Sequence, residues 1–214
     1  MTVPKTLTLL APLVLASASP RRFEILKELG LAPAIHAANI DEDDVGRRGT
    51  TGPESARLIA EAKAQSAASG EAAVLGADTI VELDGQIIGK PIDPTHARRM
   101  LLQLRGREHS VTTGVAVVYG GITFADTETT TVSMRNYAAA EIDAYLATGS
   151  PLDKAGAYGI QDEPFSPAAA IRGCYLNVVG LPLCLTSHLL EQAGLINAAT
   201  GISCPSHNLA QVRA

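Results

Sequence analysis

The segment Ser17-Ala18-Ser19-Pro20-Arg21-Arg22 constrains this chain most, because it joins an apolar, strand-like run directly to an amphipathic helical pattern. Ser19 is a favoured N-cap and Pro20 suits a first helical position. Phe23, Ile25, Leu26 and Leu29 then recur at helical spacing until Gly30 stops the pattern. A helix therefore starts near residue 20, straight after a candidate buried strand. Its first turn holds two arginines, where the macrodipole disfavours cations by about 0.3–1 kcal/mol each. A bound anion offsets that cost. Unpaired first-turn N–H groups, the hydroxyls of Ser17 and Ser19 and two guanidinium forks together suit a phosphate. Two solvated arginines behind an ordinary cap are the alternative.

At 214 residues and 46% hydrophobic, the chain can bury a full core without staples. Its 17 Lys and Arg against 22 Asp and Glu leave a net charge of -5, and the cations form no long run. That balance argues against a nucleic-acid polymer or a polybasic membrane surface as partner, so any anion site is local. Aromatic residues make up 4% with no Trp, which leaves little to stack single-stranded bases on. Cys174, Cys184 and Cys204 fit neither a CxxC nor a zinc spacing and read as reduced thiols. Near the start, Lys5, the apolar residues 7–15 and Ala16-Ser17-Ala18 imitate a short signal peptide, and a buried first strand is the competing reading. No apolar run approaches the ~20 residues of a membrane span.

Residues 32–52 read as a polar loop whose acids, Asp41-Glu42-Asp43-Asp44, face solvent or bind metal. A helix is expected over residues 53–68, with Leu58, Ile59 and Ala62 on its apolar side. Lys63 sits at the edge of that face, either snorkelling or aimed at a site. Residues 74–83 form a strand candidate, and Asp84-Gly85 is a type I′ turn signal leading into residues 86–88. Counting back from Leu83 opposite Gln86 sets Thr79 against Lys90 and Asp78 against Pro91. That brings Asp78 and Lys90 into one neighbourhood, although regular alternation puts them on opposite faces. A helix from residue 94, strands at 111–119 and 122–134 around Gly120-Gly121, a helix over 139–148, a Gly-rich loop at 154–161 and a helix from near Pro182 follow. Interleaved in this way, the elements read as one α/β unit.

No GxSxG elbow, HExxH or GxGxxG pattern occurs, and the five histidines are scattered. The run GQIIGKP at 85–91 imitates a phosphate-binding loop but is one residue short between its glycines and has Pro91 where Ser or Thr is needed. What remains is a set of cations, Arg21, Arg22, Lys63 and Lys90, with two carboxylates, Glu42 and Asp78, each near an element end. Carboxylates that hold a divalent metal or activate water, beside cations that neutralise phosphate, suit metal-assisted phosphate chemistry. Asp78 is the most suggestive, since Asp is depleted in strands yet lies inside Gly-Ala-Asp-Thr-Ile-Val. An edge-strand Asp facing water is the alternative.

Taken together, SASPRR at 17–22, IDE at 40–42, KA at 63–64, GADTIV at 76–81, GKP at 89–91, KAGAYGIQ at 154–161 and NVVGLPL at 177–183 resemble the Maf family in identity and order. The resemblance implies an elongated, two-lobed mixed-sheet α/β fold, similar to the inosine triphosphatase architecture, with a nucleotide cleft between the lobes. Residues 1–12 then form an extension, 13–194 a single Maf-like domain and 195–214 a tail. It further implies a cytoplasmic, house-cleaning nucleoside triphosphate pyrophosphatase: water attacks the α-phosphorus with a divalent metal cation, Mg or Mn, leaving monophosphate and pyrophosphate. Carried over by motif, Asp78 is the proton acceptor, and Ser17, Arg21, Arg22, Lys63 and Lys90 surround the triphosphate. Glu42 and Asp78 hold the metal, and Arg21, Thr79 and Gln161 select the base.

The ADT at 77–79 and AGAYGIQ at 155–161 match the subgroup acting on dTTP and UTP, whereas the 7-methyl-GTP subgroup carries SDQ. The chain departs from the family pattern after Gln161, where Asp162-Glu163-Pro164 replaces a glycine and a short hydrophobic segment and sets extra acid beside the triphosphate. The alternatives are the same reaction on 7-methyl-GTP or another nucleotide, or a nucleotide-binding regulator of cell division with little turnover. Cleavage after Ala18 would cut the first motif, which weighs against the signal-peptide reading. A homodimer is expected on general grounds.

Overall fold

The computed structural model describes residues 7–196. In chain order it contains β1 (Leu13–Leu15), α1 (Pro20–Glu28), β2 (Ala34–Ile35), α2 (Glu42–Gly46), α3 (Gly52–Ala67), β3 (Ala73–Leu83), β4 (Gln86–Ile88), α4 (Pro94–Leu104), β5 (Glu108–Tyr119) and β6 (Ile122–Met134). Then come α5 (Ala139–Ala147), two 3-10 turns at Ser150–Asp153 and Ala155–Ala157, β7 (Ala168–Arg172), α6 (Tyr175–Val179) and α7 (Leu183–Gln192). The strands make one seven-stranded mixed sheet in the order β2-β1-β3-β5-β6-β7, with β4 added to β3. Both hairpin turns have the positive φ at two successive residues that type I′ requires: Asp84 (51°) with Gly85 (76°), and Gly120 (57°) with Gly121 (78°).

The long strands β3 and β5 pass through two hydrophobic cores set end to end on one face of the sheet. Leu75 and Ala77 of β3 join Val115 and Val117 of β5 in the first, under α1 and α7. Val81, Leu83 and Val111 join the second, with α4, α5 and Phe165. These positions alternate along each strand, so Thr79 and Thr113, which pair across the sheet, fall at the junction between the cores. That juncture divides the molecule into two lobes. The opposite face is covered by α3, whose Ala56, Ile59, Ala60 and Ala64 lie on β3 and β5. Its backbone comes so close that a Cβ on Gly76 or Gly114 would fall 2.3 Å from the carbonyl oxygens of Ala60 and Ala56, respectively. Glycine is required at both positions by this approach rather than by conformation.

The other edge of β3 positions the site. Its lower part pairs in parallel with β1, ending at Leu15 opposite Leu75, and its upper part pairs antiparallel with β4, starting at Val81 opposite Ile88. Between them β3 has a ladder partner only on the β5 side, and Asp78 and Thr79 lie in that gap. The pairing expected for Thr79 with Lys90 and Asp78 with Pro91 does not form. The ladder stops at Ile88, and the Gly89 carbonyl instead accepts the Gly156 N–H at 3.0 Å.

The stretch 32–52 is less of a loop than its polarity suggested, since it holds β2 and α2. β7 and α6 also have no counterpart in the hydrophobic periodicity. Residues on either side of the expected domain limits join the first core: Leu7 and Ala11 before it, Leu195 and Ile196 after it. Cys204 and the rest of the C-terminal segment lie outside the described residues, as do residues 1–6. Among the described residues no helix is long and apolar enough to cross a membrane.

Candidate active site

The gap in β3 opens into a cleft of about 1160 Å³ between the two lobes. Ser17, Arg21, Arg22, Glu42, Lys63, Asp78, Thr79, Lys90 and Gln161, all singled out from the sequence, line it together. Asp78 and Lys63 are buried at its base, and the Lys63 ammonium donates to Asp78 Oδ1 at 2.8 Å. The same ammonium lies 3.0 Å from Glu42 Oε1, so one cation holds two carboxylates. The local sequence explains this convergence. Small residues and two sheet glycines let α3 lie tightly on β3, which puts Lys63 beside Asp78. Asp41 caps α2 by accepting the Asp44 N–H at 2.9 Å, and Ser55 of α3 donates to the Gly46 carbonyl at 2.9 Å, docking α2 so that Glu42 faces the cleft.

The two neighbouring arginines do different work. Arg22 is buried, and its guanidinium donates to three elements: Nε to the Gly180 carbonyl at 2.8 Å, Nη1 to Ser17 Oγ at 3.0 Å and Nη2 to Thr79 Oγ1 at 3.1 Å. Burial lowers its pKa from the ordinary value, while the Asp78 carboxylate pulls the other way. The solvated-arginine alternative is thus excluded for Arg22, which ties α1, β3 and the turn after α6 together at the junction of the lobes. Arg21 is one-third exposed, and its Nη1 reaches across the cleft to Asp153 Oδ2 at 3.3 Å. Ser19 stands at the N-cap of α1 but makes no capping bond with its side chain, and no acidic residue occupies the first turn. The positive end of α1 therefore faces the cleft without a protein counter-charge of its own.

On the far wall, residues 154–162 are held from behind. Lys154, buried, donates to Ser150 Oγ at 3.0 Å and Asp153 Oδ1 at 2.8 Å and lies 3.5 Å from Asp162 Oδ2. Asp162 Oδ2 also accepts from the hydroxyls of Tyr145 at 2.5 Å and Ser150 at 2.7 Å. The extra acid expected beside the triphosphate is therefore a bonded, partly neutralised carboxylate. Thr79 Oγ1 shares a hydrogen bond with Thr113 Oγ1 at 2.9 Å besides accepting from Arg22. Lys90 and Gln161 are exposed at the cleft wall, and Lys90 is in no ion pair among the described residues.

Two contributors were not singled out from the sequence. Lys154 was visible only as a letter inside a motif. Asn177 is fully buried at the lobe junction: its Oδ1 accepts the Thr113 N–H at 3.1 Å, and its Nδ2 donates to the Val111 carbonyl at 2.8 Å and Thr130 Oγ1 at 2.9 Å. An Asn flanked by apolar residues was the signal, since a buried amide is retained only where its bonds are satisfied.

The cleft thus presents the buried Asp78 and the exposed Glu42 bridged by Lys63, a helix start without a counter-charge and the accessible cations Arg21 and Lys90, an arrangement suited to a polyanion. Known proteins are similar to this chain over most of its length. A relative from Moorella thermoacetica named dTTP/UTP pyrophosphatase is 47% identical over 191 residues, 87% of this chain and 97% of the relative. Namesakes from Symbiobacterium thermophilum and Thermomicrobium roseum are 43% and 46% identical, each over 85% of this chain and over 94% and 84% of their own lengths. The Ham1 protein of Staphylococcus aureus superposes with a TM-score of 0.41 at 16% identity, over 58% of this chain and 72% of that one, a likeness too loose to bear on the site. The family model described as Maf-like protein matches residues 12–193, from just before β1 to just past α7, and this chain belongs to that family.

Proposed function

We propose that this protein hydrolyses dTTP and UTP to the monophosphate and pyrophosphate, with Asp78 accepting the proton of the attacking water. The observation that carries the reading is the Asp78–Lys63–Glu42 constellation in the open stretch of β3, facing the start of α1 across one cleft. The names of the relatives support the substrate class. Arg21, Lys90 and the first-turn N–H groups of α1 take the phosphate oxygens. Lys63 keeps the Asp78 carboxylate oriented towards the water that attacks the α-phosphorus. As the new P–O bond forms, the α–β bridging oxygen leaves with pyrophosphate and the water proton passes to Asp78. Thr79 and Gln161 face the base, where unmatched hydrogen bonds reject the wrong edge. Arg22 acts by holding Ser17, Thr79 and Gly180 in register rather than by being a freely mobile phosphate ligand.

The donor set also fits a hard divalent cation such as Mg²⁺ or Mn²⁺. Glu42 and Asp78 are two carboxylates that line the same cleft and both contact the Lys63 ammonium, at 3.0 and 2.8 Å. Mg²⁺ is commonly held in this way, by one or two carboxylates with the remaining positions left to phosphate and water. When bound, such a cation neutralises charge developing on the departing pyrophosphate.

The test is metal-dependent pyrophosphate release from dTTP, UTP, CTP, 7-methyl-GTP and ITP, with Asp78→Asn as control. Release from dTTP and UTP that Asp78→Asn abolishes is the expected result. Turnover confined to other nucleotides overturns the specificity, and binding without turnover would make the protein a nucleotide-binding regulator.

A further inference from the structure

We infer that Asp162 is a positioning residue for nucleotide discrimination, setting the wall segment Gly159–Gln161 against the base; this rests on the substrate reading above. The segment lines the cleft, with Gln161 exposed and no regular secondary structure to fix it. Its backbone is instead anchored through Asp162. The Gly159 N–H donates to the Tyr145 hydroxyl at 3.0 Å, and that hydroxyl donates to Asp162 Oδ2 at 2.5 Å. The Asp162 N–H returns to the Gly159 carbonyl at 3.1 Å, and its own carbonyl accepts the Ser166 N–H at 2.9 Å. Gly159 is packed so closely on this carboxylate that a Cβ there would fall 2.4 Å from Asp162 Oδ1.

The carboxylate also has a second role in the wall. It receives the Ser150 hydroxyl and lies beside the Lys154 ammonium, which bonds Asp153, the partner of Arg21 across the cleft. Asp162 is thus the point where the base-facing segment and the phosphate-facing ion pair meet. The Tyr145 ring stacks on Phe165 with centroids 4.2 Å apart, so the hydroxyl relay stands on a packed core rather than on solvent. A carboxylate that accepts from two hydroxyls and lies beside an ammonium, next to a segment that has no ladder of its own, fixes geometry instead of touching the reacting atoms.

Asp162→Ala removes the anchor, and Tyr145→Phe removes only the hydroxyl between Asp162 and Gly159 while leaving the ring stack. With thermal melts to establish folding, we expect both variants to lose roughly tenfold in the UTP-over-CTP ratio of kcat/KM, with the change falling mainly on KM. Hydrogen exchange at the Gly159 amide is expected to accelerate in both. Folded variants that keep the wild-type ratio and Gly159 protection overturn the inference. If Asp162→Ala does not fold, Tyr145→Phe decides by the same two readouts. A wild-type enzyme that hydrolyses neither UTP nor dTTP overturns the substrate reading instead, and the Gly159 exchange rates still report on the anchor.

Discussion

Replacing Arg21 and Arg22 by methionine, one at a time, should separate ligand binding from architecture. In Arg22→Met three bonds from a charged donor disappear, at 2.8, 3.0 and 3.1 Å. Two acceptors keep other partners, since Ser17 Oγ still accepts the Ser19 N–H and Thr79 Oγ1 still meets Thr113 Oγ1. The Gly180 carbonyl is left without its Arg22 donor. Bonds to charged groups contribute about 1.5–3 kcal/mol, and an unmet buried acceptor costs about 1–3 kcal/mol. Allowing for the partners retained, the variant should lose about 4 kcal/mol, or roughly 8–16 °C in Tm for a chain of this size. In Arg21→Met the lost ion pair is screened by water, with side chains 34% and 64% exposed, so stability should change by less than about 1 kcal/mol. Its cost appears in KM for UTP, raised roughly tenfold by the loss of one charge-assisted phosphate contact. Urea and thermal denaturation followed by circular dichroism, with steady-state kinetics on the same preparations, measure both effects. An Arg22→Met protein as stable as wild type, or an Arg21→Met protein destabilised as much as Arg22→Met, would refute this division of roles.

Acid should weaken the fold through His109, which is buried with Nε2 on the Tyr158 hydroxyl at 2.7 Å and Nδ1 without a partner. Burial lowers its pKa from 6.5 to about 4, so between those values the unfolded chain binds a proton that the folded chain does not. Its contribution is therefore complete above the unfolded value and falls by about 3 kcal/mol as the pH drops towards the folded one. Urea titrations from neutral pH to pH 4 should show this loss, and a folded His109→Phe variant should show a shallower one; equal slopes would contradict it. Gly76→Ala would place a Cβ 2.3 Å from the Ala60 carbonyl and 2.7 Å from the Ala64 N–H, lifting α3 and Lys63 off the sheet. A destabilisation of about 3 kcal/mol with a parallel fall in turnover is expected, and urea denaturation giving less than about 1 kcal/mol would show that α3 is free to adjust.

The elements legible from sequence are those whose signal is local. The helix α3 and the strands β3, β5 and β6 are long enough to show their period, and Asp84-Gly85 encodes its own turn through two positive φ values. The elements that were not legible are held by distant partners. The short helix α6 is fastened by Asn177 to Val111, Thr113 and Thr130, and no apolar stripe of its own announces it. The site shows the same division. The broken dipole rule drew attention to Arg21 and Arg22 alike, because both share one first turn. What separates them is the Gly180 carbonyl, 158 residues along the chain, which only the tertiary fold brings to Arg22. The hairpin put Lys90 in the neighbourhood of Asp78 by counting, but the bond that ends the ladder comes from Gly156, outside any local pattern. Asp162 read as an unwelcome charge for the same reason, since its partners Tyr145 and Ser150 belong to α5 and the turn that follows it.

Asp78 is proposed to activate water for attack at the α-phosphorus. Hydrolysis of dTTP in ¹⁸O-labelled water, with mass spectrometry of both products, tests it most directly. The label is expected in the monophosphate and not in pyrophosphate, with no labelled product from folded Asp78→Asn. Label in pyrophosphate, or turnover by Asp78→Asn at the wild-type rate, would contradict it.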